Sequence, residues 1–147
     1  MATQWPAVKR AIIDLLPTLT GWPSADLTFD GPPVAGDSSS YVTVGYVDGE
    51  DSAGSFTTDT TNGYRIEETG SVVGELVAWA GDTDLPARQA EAFAAMDAFE
   101  VALRADRTLG VLSPDGTARL SVDVLPAQTN AGAVQRLRFT IEYLTRT

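Results

Sequence analysis

Apolar side chains recur at helical spacing over residues 5–16. Trp5, Val8, Ile12 and Leu15 share one face there, and Lys9 and Asp14 fall off it. Pro6 suits the first turn and Pro17 stops the helix. Residues 17–40 are rich in Pro, Gly and Ser and read as loop, with one short strand at Leu27–Phe29. YVTVGYV at 41–47 is β-branched and aromatic and predicts a strand. Residues 64–80 predict a long strand. Tyr64, Ile66 and Glu68 alternate with Arg65, Glu67 and Thr69, and Val72–Trp79 is nearly all apolar, as in a strand covered on both faces. Gly70 and Gly74 mark a bulge, a bend or a break into two strands.

GDTDLP at 81–86 opens a second helix that runs to about Asp106. Asp82, Thr83 and Asp84 offer cap oxygens, and Pro86 lies in the first turn. Ala92, Met96, Phe99 and Leu103 form its stripe with Phe93 beside it, while Arg88, Glu91 and Arg104 are expected on the surface. After a loop at 108–116, two segments alternate strictly. Ala118, Leu120, Val122 and Val124 face one way in the first; Leu137, Phe139, Ile141 and Tyr143 do so in the second. PAQTNAG at 126–132 joins them as a hairpin. The expected order is α-β-β-β-α-β-β in one domain over 1–147. This is an α+β fold, a mostly antiparallel sheet with two helices on one face.

One stretch stands outside this periodicity. Between the strands, GYVDGEDSAGSFTTDTTNGY at 45–64 carries Asp48, Glu50, Asp51 and Asp59, no Lys or Arg, and Phe56 as its one large apolar side chain between Val47 and Tyr64. A polar loop over 48–62 is too long for a tight turn, and such loops are functional or disordered. Its Gly, Ser, Thr and Asp cannot bury themselves, so an arm ordered against a partner is expected, with Phe56 as anchor.

The net charge of −10 sharpens this reading. Residues 11–64 hold eight acidic side chains and no basic one. Such a chain repels a polyphosphate, so specific nucleic-acid binding is not expected. The sequence has no His and no Cys, which removes Ser–His–Asp triads, thiol chemistry and the commonest metal ligands. No apolar run approaches the ~20 residues of a bilayer span, and the first residues lack signal-peptide features. No membrane association is expected.

Counting from Asp48, the alternate positions are Asp48, Glu50, Ser52 and Gly54, and Asp59 falls where an EF-hand loop needs Glu. The match is poor, and no metal or cofactor is expected. Glu67 and Glu68 are adjacent, so on a strand they point to opposite faces and cannot form a dyad; Glu68 shares the face of Tyr64 and Ile66 and reads as semi-buried or, in preference, as lying at the strand end. Ser38, Ser39 and Ser40 have no activating neighbour, and no nucleotide motif is present. The chain reads as a non-enzyme. Arg136 and Arg138 occupy the polar face of the last strand. They read as a solvated face, or as the partner of a neighbouring subunit's acidic arm.

SVVGELVAWAGDTDLPARQAEAFAAMDAFEVALRADRTLG and the closing QTNAGAVQRLRFTIEYLTRT carry a family resemblance over about residues 64–147. Its features are Gly81 to Leu85 opening the helix, Ala105, Asp106, Thr108, Leu109 and Gly110 leaving it, and Gly132, Ala133, Arg136, Phe139 and Thr140 in the final strand. In these the chain resembles tail terminator proteins of long-tailed actinobacterial bacteriophages. The resemblance implies a ring, of six subunits, that caps the tail tube, ends its polymerisation and meets the head-side connector or stopper. DNA would pass through without specific binding. The place implied is the tail neck of the virion, assembled in the host cytoplasm. A closed ring needs two different patches to meet, and Asp48, Glu50, Asp51, Phe56 and Asp59 against Arg136 and Arg138 are the expected pair. An assembly held that way should weaken in salt. The rival readings are another neck or tube protein, such as a stopper or tube subunit, and a small-ligand-binding domain.

Overall fold

The computed structural model describes residues 3–34, 40–61, 65–127 and 132–147. Tyr64, Ser38, Ser39 and positions 128–131 of the expected hairpin connection lie outside them. The chain forms helix α1 (Trp5–Leu15), strands β1 (Thr28–Asp30), β2 (Tyr41–Val44), β3 (Gly54–Thr61) and β4 (Arg65–Trp79), helix α2 (Leu85–Ala105), and strands β5 (Thr117–Val124) and β6 (Val134–Arg146). The fold is α+β, as expected. The strands make one sheet in the order β1-β2-β4-β6-β5, antiparallel except for the β1–β2 pair.

The expected loop over 48–62 is instead largely strand. β3 pairs along β4 from Gly54↔Val72 to Thr61↔Arg65. It shares one edge of β4 with β2, since β6 occupies the other edge. The chain leaves that edge at Gly45, whose N–H donates to the Val73 carbonyl, and returns at Ala53, whose carbonyl accepts from Val73. Only residues 46–52 are an excursion, closed at both ends on one residue of β4. Thr and Phe favour strand, but GSFTTDTT has no apolar alternation because no layer covers β3, and Ser55–Thr60 are exposed.

β4 is unbroken at its two glycines. A Cβ on Gly70 would stand 2.6 Å from the Tyr143 ring, and one on Gly74 would overlap the Phe139 ring and the Thr43 carbonyl. The glycines let two β6 aromatics lie flat across β4. Residues 72–78 are buried on both faces. Val72, Leu76 and Ala78 join the core with Leu137, Phe139 and Ile141 of β6. Both helices cover this face. Val8, Ile12, Ile13 and Leu16 enter from the N-terminal side, and Ala92, Ala95, Met96, Phe99 and Leu103 from α2. Trp22 seals the join, edge-on to Phe99 and Phe139, with its indole N–H on the Ala95 carbonyl at 2.6 Å.

Two α2 positions differ from the pattern reading. Phe93 is 44 % exposed rather than packed beside the stripe, and Arg88 is 8 % exposed rather than at the surface. Arg88 forms an ion pair with Glu91 at 3.0 Å and approaches Asp82 at 3.8 Å. The cap is as expected: the Asp84 side chain accepts from the Ala87 N–H at 3.2 Å.

Candidate functional site

Alternation sends Arg136, Arg138, Glu142 and Arg146 of β6 to the sheet face opposite the helices. Their neighbours there are Glu67, Ser71, Val73, Glu75 and Val77 of β4 and Arg119, Ser121 and Asp123 of β5. This outer face is a lattice of cross-strand ion pairs. Arg136 clamps Glu75 with two bonds of 2.7 and 2.8 Å, and Glu75 is 4 % exposed. The hydrogen bond to Glu75 raises the Arg136 guanidinium above its ordinary value despite burial. Burial, with the Glu75 charge behind it, pushes the nearby Tyr41 phenol up, and Arg136 partly opposes this. Arg138 forms an ion pair with Glu50 at 2.9 Å and donates to Asp123 at 3.1 Å. Arg146 joins Glu67 at 2.8 Å and Asp115 at 3.3 Å, and Arg119 joins Glu142 at 3.2 Å.

The excursion at 46–52 lies over this lattice, since Glu50 crosses the outer side of β4 to reach Arg138 on β6. Val47 and the β4 residues Val73 and Val77 are buried there, outside the helix-side core. Asp48 accepts from the Tyr46 hydroxyl at 3.4 Å. It lines a cleft of about 210 Å³ with Pro33, Tyr41, Thr43, Tyr46, Glu75 and Arg136.

Of the residues singled out by sequence, the structure brings Glu50 and Arg138 together within one chain. Arg136 meets Glu75, which sequence reasoning did not select. The signal was there: Glu67 and Glu75 share a parity on β4 that faces the arginines of β6. Asp51 is exposed, and Phe56 is 47 % exposed on the helix-facing side of β3, across from Gly70. Asp59 sits opposite Glu67, a like charge. It accepts from the Thr60 N–H at 2.8 Å, and among the described residues no cation pairs with it.

Glu68 is not at a strand end in solvent. It is 0 % exposed on the helix-facing side. It accepts from the Gln4 N–H at 3.1 Å, at the start of α1, and from the Tyr143 hydroxyl at 2.6 Å. It fixes the entry of α1 onto the sheet.

Among the described residues no three side chains gather as a metal cluster, and no helix is long and apolar enough to cross a membrane. The arrangement offers instead a charge-sealed sheet face and an eight-residue strand that, among the described residues, is paired on one side only. No protein-family model and no curated protein matches the chain.

Proposed function

We propose that this protein is a structural virion component that forms a ring on a phage tail tube, ends tube growth and joins the tail to the head-side connector. The observation that carries this reading is β3. It is an exposed strand bearing Phe56 and Asp59, held to the domain along one edge and open along the other. A strand left open in this way is a surface for another chain. The resemblance of residues 64–147 to tail terminators supplies the kind of assembly, and the acidic surface suits a channel through which DNA slides without sticking.

The test is to add the protein to polymerising tail tube protein of the same virion. Tubes that stop short, with a ring at one tip by negative-stain electron microscopy, are the expected result. Unchanged tube lengths and bare tips would sink the reading. Long filaments grown from this protein alone would assign it to the tube itself.

A further inference from the structure

The sheet has two long open edges, and they match. β3 is antiparallel to β4, β4 to β6 and β6 to β5, so β3 and β5 run in opposite directions within one sheet. A second copy set edge-on, with its helices on the same side, therefore presents β5 to β3 as an antiparallel neighbour. We infer that copies of this chain join by that contact, β3 of one extending the sheet of the next through β5. The inference rests on the ring reading for closure, because head-to-tail contacts close into rings or run on as filaments.

Natural edge strands carry Lys, Pro or bulges that prevent pairing. Neither long edge carries Lys or Pro. The third edge, β1, is short, and its Asp30 is tied to Lys9 at 2.9 Å. On β5 the Ala118 N–H is already taken by the Arg107 carbonyl at 2.8 Å. The open part of β5 is then Arg119–Val124, which equals Gly54–Asp59 in length.

Side chains select the register. Faces must match, so residues of the same facing pair with one another. One register sets Asp59 beside Arg119 of the second copy, Thr57 beside Ser121 and Phe56 beside Val122. This gives Asp59, which no cation pairs among the described residues of its own chain, a share of Arg119, an exposed guanidinium that also pairs with Glu142 at 3.2 Å. It also covers Phe56 with a β-branched side chain, a favourable cross-strand pair. Sliding by two residues in either direction puts Asp59 beside Ser121 or Thr117, and the charge match is lost.

The chain contains no cysteine, so an introduced pair reports cleanly. The double variant Thr57→Cys with Ser121→Cys is oxidised at high concentration, alone and with tail tubes present. The expected product is a disulfide ladder ending at one closed species. Thr57→Cys protein mixed with Ser121→Cys protein should stop at dimers. Absence of cross-links in both settings, or cross-linking of Thr57→Cys with itself, overturns the inference. Asp59→Arg should weaken assembly roughly five-fold, and adding Arg119→Asp should restore it; no rescue counts against the register. Tube capping without cross-links sinks the edge contact and leaves the function standing. Cross-linked rings that do not cap tubes sink the function and leave the contact.

Discussion

Glu68 is sealed from solvent, and among the described residues no cation pairs with it. Its oxygens instead take the Gln4 N–H and the Tyr143 hydroxyl. The start of a helix carries partial positive charge, which favours an acidic group there. Glu68→Ala strands both donors in the interior and should lower stability by about 3 kcal/mol in urea titration. Glu68→Gln keeps an accepting oxygen and should cost less. Tyr143 answers in the alkaline range. Burial first, then the hydrogen bond and charge of Glu68, raise its phenol above the ordinary 10.0. The unfolded chain therefore releases this proton first. The contribution is whole below pH 10 and is lost as pH rises above it, by up to about 1.4 kcal/mol per pH unit. Tyr143→Phe should be less stable at pH 8, by roughly 1 kcal/mol for the lost bond. It should also decline less steeply above pH 10, so its urea midpoints converge with those of the parent protein. Parallel midpoint curves would show that Tyr143 does not carry the alkaline loss. The raised Tyr41 phenol leaves some decline in both proteins.

Among the elements, β4 is the axis of the fold, touching β2 and β3 on one edge and β6 on the other. Its glycines are fixed by the rings that cross them. Gly74→Ala drives a methyl group into the Phe139 ring and the β2 backbone and should cost on the order of 3 kcal/mol by overpacking, read as a lowered melting temperature. Gly70→Ala meets the Tyr143 ring and the Ser55 carbonyl and should also destabilise, here together with β3. A melting point unchanged by either substitution would contradict this packing. The elements legible in sequence are those whose faces differ. α1, β5 and β6 each set apolar against polar residues, and α2 was announced by its cap. β3 was not legible, because a strand with no layer over it has no apolar side to alternate. A charged residue is expected outside, and what holds Glu68 inside is a partner set by folding, Tyr143, 75 positions away. Arg88 differs, since its partners Glu91 and Asp82 are near it in sequence. The arm was visible as an oddity of composition, but that Glu50 turns back to its own Arg138 was not, because spacing along the chain carries no information on it.

At the scale of the whole molecule, that intramolecular pair changes what salt should do. Sequence alone pits an acidic arm against a basic face, an attraction that salt would weaken. In the structure Arg136 and Arg138 are occupied within their own chain. The proposed contact is left with backbone hydrogen bonds, Phe56 and one exposed pair, Asp59 with an Arg119 that it shares with Glu142, of about 1 kcal/mol at most. Against this stands the net charge of −10 on every copy. A domain of this length has a diameter of about 38 Å. Two such charges at that separation repel by about 3 kcal/mol where the Debye length is 30 Å, and by about 0.1 kcal/mol where it is 8 Å. The repulsion outweighs the pair, so assembly should tighten by roughly tenfold or more between 0.01 and 0.15 M salt. Light scattering over a dilution series at the two salt concentrations reads this directly. Dissociation at the higher salt would mean that charge pairs across the contact hold the copies together. The Glu50–Arg138 and Glu75–Arg136 pairs would then have to open on assembly, returning these arginines to a neighbour's carboxylates.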